Sequence, residues 1–472
     1  MLAATPNSSS TSSPEATPGI YTVGTLKYTK RSMAVLFGWL LWGDFAFNFF
    51  ESIFGRFMPL YLNDLKASNT LIGITTGSIA GVVNILFLPN ISQWSDRLRT
   101  RWGRRIPLLT VVAPLTTLSL LGVGFAPEIS AWISNHVPAS LAPWLSGTTL
   151  LLSLICAFTI SFHFFNMVLV NAYNWLLRDV VPQVFMARFL SWFRIVGNVA
   201  GALFLWYVFP TMLSHRKETF LGVGIFYFAA FMLMCWNVKE GEYIAPEPHA
   251  AGSNLFTRFG AYFRDCLALP IYRNFFIGYV LVVVAGGCAG SFITLYGRNT
   301  LHLTMGEMGH WGTYTIIVGS LALIPAGWIC DRFSSMKVAL VSLFFLAVAP
   351  LTAFLFVSTK MHWLTYSLIS TIPGVFWGLS VAALSMTLFP DRVFGQFSAG
   401  MNVFGCGGLI FGNYLAGLFM DLVDSNFRLI FLWSVLFYAL ALIPLLLVYR
   451  DWKKNGGQKN YIAPIPEHML ED

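Results

Sequence analysis

"WSDRLRTRWGRR" (residues 94–105) sets one aspartate, Asp96, among Arg97, Arg99, Arg101, Arg104 and Arg105. Apolar runs flank it on both sides, and a bilayer core takes about 20 apolar residues per helix. Lys and Arg collect in short loops on the cytoplasmic side of a membrane. The stretch therefore reads as a tight basic loop between two membrane helices. It has a weaker copy: "GWICDRFSSMK" (327–337) again ends an apolar run with Asp-Arg, here Asp331 and Arg332, and then Lys337. Two more pairs share the order. "VPQVFMARFLS" (181–191) and "FPDRVFGQFSA" (389–399) place Phe189 and Phe397 at the same offset from Pro182 and Pro390, and "EYIAPEP" (242–248) returns as "NYIAPIP" (460–466). Three ordered repeats argue for two halves of like orientation, which is a transporter architecture.

The 472 residues are 56% hydrophobic and 11% charged, against roughly 25% charged in soluble domains, and the mean hydropathy is +0.66. This composition excludes a soluble globular enzyme. Apolar runs fall near 34–62, 70–92, 106–126, 147–177, 187–212, 219–238, 272–298, 308–330, 337–358, 362–388, 394–422 and 427–449. They predict an all-α membrane protein with twelve transmembrane helices. The chain divides into a tail (1–31), a six-helix bundle (32–238), an inter-bundle loop (239–270), a second bundle (271–450) and a tail (451–472). Residues 1–31 are rich in Ser, Thr, Pro and Ala, which predicts disorder. They lack the basic start and apolar core of a secretory signal, so the first helix is expected to direct insertion. The stretch 128–145, with Trp132 and Trp144, reads as interfacial. The net charge of +8 is a topology signal rather than a nucleic-acid footprint. Lys27, Lys30, Arg31, Arg178, Lys239, Arg264, Lys337, Arg392 and Arg450 share the side of the 97–105 loop, which places both termini in the cytoplasm. The six cysteines form no CxxC pair and read as packing residues.

"SDRLRTRWGRRIP" (95–107) resembles the loop signature of the major facilitator superfamily. Its Gly-Arg-Arg-x-Pro extension is similar to that of the glycoside–pentoside–hexuronide cation symporters and the sucrose transporters. "NAYNWLLRDVVP" (171–182) and "FRIVGNVAG" (193–201) resemble the fourth-helix exit and fifth helix of the same branch. Ser92 stands where the superfamily signature has Gly, which weakens the expectation of close packing between helices two and eleven. The resemblance implies the major facilitator fold, a central cavity among helices one, four, seven and ten, and alternating access. It implies gating roles for Asp96, Arg97, Gly103, Arg104 and Arg105, with Asp331 and Arg332 as counterparts. It also implies that Asp96 meets a helix terminus across the interface between halves, where a helix dipole favours negative charge.

Candidate binding residues begin in "WGDFAFNFFESIFGRF" (42–57). A charge at bilayer depth costs at least about 2.5–3.5 kcal/mol, so such residues are functional candidates. Asp44, Asn48 and Glu51 are spaced by four and three, within about 60° on a helix; Arg56 points elsewhere. The fourth run carries Thr159, His163, Asn166 and Asn174, groups suited to solute hydroxyls. The fifth carries Arg194 and Asn198 beside the close-packing pair Gly197 and Gly201. A buried guanidinium needs a partner. Arg194 lies about 12 Å and Asp44 about 15 Å from the cytoplasmic helix ends at 1.5 Å per residue, so an Asp44–Arg194 pair is expected. Interhelical hydrogen bonding without transport would employ the same residue types. Tyr279, Trp377 and Trp175 could stack on a sugar ring. His302, Glu307 and His310 lack the HExxH spacing, which argues against a metal site. No Walker loop or nucleophile elbow is present, so neither an enzyme nor a cofactor is expected.

The resulting expectation is a multi-pass protein of an inner or plasma membrane that couples uptake of a small-molecule solute, a sugar or glycoside, to H+ or Na+ in the lipid bilayer. A proton-driven exporter of amphipathic compounds is the first alternative. A transport-inactive receptor or scaffold of the same fold is the second.

Overall fold

Lipid offers no partner for backbone N–H and C=O groups, so an apolar run has to satisfy them internally as a helix. The computed structural model describes residues 20–136, 147–243, 260 and 264–465. Among these are twelve helical segments of membrane length. They are α1 (Lys30–Asp64), α2 (Asn69–Arg97), α3 (Ile106–Gly124), α4 (Gly147–Val180), α5 (Gln183–Thr211), α6 (Arg216–Asn237), α7 (Pro270–Thr300), α8 (Met305–Phe333), α9 (Ser335–Phe356), α10 (Lys360–Leu388), α11 (Asp391–Leu422) and α12 (Phe427–Lys454). The protein is a multi-pass integral membrane protein. A short helix, Ala126–His136, opens the expected interfacial stretch; residues 137–146 lie outside the described residues.

One expectation is corrected at the start of the chain. Residues 1–19 lie outside the described residues, but 20–29 form a hairpin instead of a disordered tail. Strands β1 (Ile20–Val23) and β2 (Leu26–Thr29) pair antiparallel, with Tyr21 opposite Tyr28. Tertiary contacts hold it: the Tyr21 ring meets Phe185 edge-on at 4.8 Å, and the Glu242 N–H donates to Thr25 Oγ1 at 2.8 Å. The hairpin runs into a capping box in which Thr29 Oγ1 accepts from the Ser32 N–H and Ser32 Oγ accepts from the Thr29 N–H. This satisfies two N–H groups that lack intrahelical partners, so α1 begins four residues before the apolar run does.

The sequence repeats correspond to repeated contacts. Tyr243, after α6, donates to Asp179 near the end of α4 at 3.2 Å; Tyr461, after α12, donates to the Leu388 carbonyl at the end of α10 at 3.1 Å. A third correspondence lies at the other face. Arg216, opening α6, donates to the Gly124 carbonyl at the end of α3, and Arg428, near the start of α12, donates to the Phe354 carbonyl near the end of α9. Both arginines satisfy carbonyls left unpaired at a helix C-terminus and oppose its dipole. The two bundles are thus parallel copies.

The face that carries the 97–105 loop is called here the basic face. Polar contacts between the bundles gather toward the opposite face. Asn63 and Asp64 meet Asn299 and Arg298, Thr76 meets Ser291, Ser78 donates to the Ile410 carbonyl, and Thr313 donates to the Ala202 carbonyl. Helices α2 and α11 cross so closely there that a Cβ on Gly417 would stand 2.5 Å from the Asn69 carbonyl oxygen. Two segments of wider, π-type turn, Ile74–Ser78 and Phe204–Val208, lie along these contacts. The bundles are joined at the opposite face and part toward the basic face.

Candidate functional site

Helix α1 is tied to α5 through small residues. A Cβ on Gly197 would lie 2.9 Å from Asn48 Nδ2, and one on Gly201 would lie 3.7 Å from Ser52 Oγ. Asn48 is therefore held against the α5 backbone. Its Nδ2 donates to Asp44 Oδ1 at 2.7 Å and to the Asp44 carbonyl at 2.9 Å. Asp44 is 0 % exposed, and its Oδ2 is buried without a hydrogen bond. The expected Asp44–Arg194 ion pair does not form. Asn48 takes the bonding position, while Arg194 stays on the exposed side of α5, near enough to act on Asp44 through its charge but in no ion pair with it. Two turns along α1, Glu51 Oε2 accepts from Asn166 Nδ2 at 2.9 Å. This joins the α1 and α4 stripes. Asn166 Oδ1 and the Tyr227 hydroxyl are buried without hydrogen bonds, and Tyr227, missed in the sequence, stacks on Phe50 at 4.0 Å.

The remaining candidates are spread. His163 Nε2 lies 3.4 Å from the Thr75 carbonyl of α2. Asn174 is exposed. Asn198 donates to Ser320 Oγ of α8 at 2.8 Å, across the bundle interface. Tyr279 stacks on Phe275 and lies against Gly405. Trp377 packs on the second bundle's core, and Trp175 lies under the Arg105 guanidinium at 4.7 Å. These aromatics do not form one face with the carboxylates. Glu307 closes a capping box with Thr304 and binds Lys360 Nζ at 2.8 Å, and His310 lies on the Trp206 ring.

At the basic face the predicted gating residues form a network within the first bundle. Arg105 bonds to Ser95 and Asp96, and Arg104 binds Asp179 at 2.8 Å. Glu240, which carried no sequence signal, accepts from the backbone N–H groups of Arg104, Arg105 and Ile106 at 2.9, 2.7 and 2.5 Å. It thereby caps the N-terminus of α3. Gly103 has a φ of +104°, and a Cβ there would meet the Glu240 side chain at 2.5 Å, so only glycine permits this approach. Burial, with the charges of Glu240 and Asp179, pushes the Tyr243 phenol well above its ordinary pKa, and it donates to both carboxylates.

Asp96 departs from the cross-bundle contact that the resemblance implies. It is bonded within its own bundle and its side chain is 52% exposed, because the bundles are apart at this face. Arg97 is exposed. The counterparts Asp331 and Arg332 are also exposed, and Arg332 lies over the Trp328 ring at 5.2 Å, so the second bundle lacks an equivalent network among the described residues. A carboxylate does bridge the bundles at the opposite face. Asp421 of α11 accepts from the Asn69 and Thr70 N–H groups at 2.8 and 2.9 Å and from Thr70 Oγ1 at 2.6 Å, at the N-terminus of α2.

A cavity of about 1010 Å³ runs along α8, α9 and α10, with none of the α1, α4 or α5 candidates in its walls. Its walls include the exposed apolar residues Val341, Phe345 and Ile369, an outer surface suited to lipid chains.

Two parallel six-helix bundles, joined at one face and parted at the other, define a secondary transporter of the major facilitator class. A family model described as MFS/sugar transport protein matches residues 40–394, and the chain belongs to that family, a family of transporters rather than enzymes. No curated protein matches its sequence. Solved structures share the fold. A bacterial homologue of the human lysosomal transporter Spinster, inward-facing and unoccupied, has a TM-score of 0.67 and 13% identity over 91% of this chain and 99% of that one. A bacterial homologue of the iron transporter ferroportin, inward-facing, has a TM-score of 0.65 and 14% identity over 88% and 99%. The nucleoside transporter NupG has a TM-score of 0.62 and 14% identity over 89% and 99%.

Proposed function

We propose that the protein couples uptake of a sugar or glycoside to a proton or sodium ion by alternating access, with the basic face in the cytoplasm of an inner or plasma membrane. The observation that carries this reading is the pair of carboxylates inside the membrane on α1. Asp44 is buried, its one hydrogen bond to oxygen Oδ1 comes from an amide, and its Oδ2 is left unmet. Glu51 is likewise held by an amide, from Asn166. Neither has an ion-pair partner among the described residues. A carboxylate taken out of water without a cation is very costly, so a cation has to accompany each of them whenever the site closes. A proton does this on the carboxylate itself; sodium does it through carboxylate and amide oxygens. The Asp44–Asn48 and Glu51–Asn166 pairs provide both kinds of oxygen. Asn166, Asn174, His163, Asn198 and the exposed Arg194 supply polar groups for solute hydroxyls, with Tyr279 and Trp377 on the facing bundle. With the basic face cytoplasmic, the structure is an inward-open state, with Asp421 holding the outer face shut. Asp96, Arg104 and Arg105 then regulate closure of the inner face.

The test is uptake of labelled sugars and glycosides into proteoliposomes under imposed proton or sodium gradients. Accumulation that depends on one gradient supports the reading. Gradient-independent equilibration of every solute would overturn coupling.

A further inference from the structure

The cavity of about 1010 Å³ along α8, α9 and α10 is a groove on the outer side of the second bundle. Val338 and Ser342 of α9 are buried at its base, while Phe333 of α8, Phe345 of α9 and Ile369 of α10 stand exposed along its walls. It runs from Lys337, in the first turn of α9, to Phe356 at that helix's end. At 1.5 Å per residue this is roughly 29 Å, the full depth of a bilayer core of about 30 Å. The wall hydroxyls of Ser342 and Thr352 donate to the Val338 and Ala349 carbonyls of their own helix, each at 2.7 Å. A long slot with such walls takes extended hydrocarbon rather than a polar solute.

Charge is confined to one end of the groove. Lys337 lines its mouth at the basic face, and it is the one Lys, Arg, Asp or Glu in the walls among the described residues. Arg332 stands beside it, with its guanidinium over the rings of Trp328 and Phe333 at 5.2 and 5.6 Å; Phe333 is itself a wall residue. Both cations are exposed, and neither has a hydrogen bond or ion pair among the described residues. Asp331 next to them is also exposed and unpaired, so Arg332 and Lys337 leave one net positive charge in the 331–337 segment. The first bundle differs: Arg104 and Arg105 are met there by Asp179 and Asp96 of the same bundle. The second bundle leaves its loop cations to be met from outside. An occupant with an anionic head at the basic face and an apolar tail along α9 satisfies both features. A phosphate is the head that Lys and Arg hold through charge-assisted hydrogen bonds.

We infer that this groove is a binding site for an anionic phospholipid of the leaflet at the basic face, with its phosphate on Lys337 and Arg332 and an acyl chain laid against α9 between α8 and α10. The site is separate from the candidate solute pathway, so the inference goes beyond the uptake reading and holds for any solute or coupling cation. The lipid touches three helices of one bundle and none of the other, so it braces the second bundle as a unit.

The experiment titrates the full-length protein in detergent with phosphatidylglycerol and with phosphatidylcholine of the same acyl chains, and counts bound lipid by native mass spectrometry. The first phosphatidylglycerol should bind about fivefold or more tightly than the first phosphatidylcholine. Arg332→Gln combined with Lys337→Gln should bring that ratio close to one, and Lys337→Arg should keep it. Val341→Trp, which narrows the groove from its exposed wall, should weaken both lipids. The thermal midpoint of each variant without added lipid should match that of the parent protein, because all three positions are exposed. Equal affinities for the two lipids, or a preference that survives the double substitution, overturn the inference. Undiminished binding of both lipids to Val341→Trp places the chains elsewhere and also overturns it. Displacement of phosphatidylglycerol by an equal concentration of glycerol phosphate overturns it as well, since the site would then read an anion without its chains.

Discussion

Asp44 and Glu51 each lean on an asparagine, but from different directions. Asn48 reaches Asp44 from one turn along the same helix, whereas Asn166 reaches Glu51 from α4. Asp44→Asn keeps the size of the side chain and removes the titratable charge. The expected outcome is loss of uphill accumulation with residual solute exchange, read by comparing gradient-driven uptake with counterflow in proteoliposomes. A well-inserted Asp44→Asn protein that still concentrates solute would remove Asp44 from the coupling role. Arg194 makes no ion pair with Asp44, so this substitution leaves no buried partner stranded, and the thermal midpoint should move little. Glu51→Gln should be the milder lesion if Asp44 carries the cation; a harsher loss of accumulation would assign the role to Glu51. In both variants substrate exchange is the control, because it needs the solute site but not the coupling charge.

Helix termini do much of the electrostatic work at both faces. At the basic face, Glu240 places a carboxylate on three N–H groups of α3, where unpaired donors and the helix dipole both favour negative charge. Glu240→Gln should lower stability by about 1–2 kcal/mol, measurable as an earlier thermal midpoint, with Arg104 still bound to Asp179. Asp96→Asn should slow transport while substrate affinity stays near normal, because Asp96 bonds to Arg105 at the helix end and touches none of the buried α1 groups. A collapse of affinity with normal turnover would refute that gating role. At the opposite face, Asp421 sits on the N-terminus of α2 in the same chemical manner, but from the other bundle. Asp421→Asn weakens charge-assisted bonds that exist only while that face is shut. Reporter cysteines on the outer helix ends should become more accessible to a membrane-impermeant thiol reagent, and unchanged accessibility would mean that the latch lies elsewhere.

At the scale of the molecule, the two parallel bundles make orientation a single decision governed by the basic loop. A reporter fused after Asp472 should behave as cytosolic and one inserted near Lys217 as external; the reverse would overturn the assignment. The closed face depends on close backbone approach rather than on a large polar interface. Gly417 leaves no room for a side chain against Asn69 and Thr70. Gly417→Val should therefore prevent closure there and hold the protein open at that face, with the fold intact because the contact lies between bundles rather than within one. Distances between spin labels at the outer ends of α2 and α11 should lengthen, and transport should cease. Normal turnover with the bulky residue in place would show that α2 and α11 need not meet.

The twelve helices, the parallel repeat and the shared face of Asp44, Asn48 and Glu51 were all legible in the residues. Lipid forces apolar runs to become helices, and the 3.6-residue period determines which side chains share a face. Even the Glu51–Asn166 bond joins two stripes read along the chain. The partners that decide the chemistry were not legible. Arg194 was the expected partner of Asp44, but it stays on the exposed side of α5 while Asn48, four residues along α1, bonds to the carboxylate; helix rotation at a crossing leaves no local pattern. Glu240 on α3 and Asp421 on α2 join residues far apart in the chain, 352 positions in the case of Asn69 and Asp421. The 20–29 hairpin follows the same rule: its composition predicts disorder, but Phe185 and Glu242 supply the order. Which face is shut is likewise absent from any local signal, since Asp96 and Asp421 carry the same group at opposite ends. Local periodicity and the solvent determined the elements; only the docking of the two bundles decided which charges have partners and which are left for a ligand.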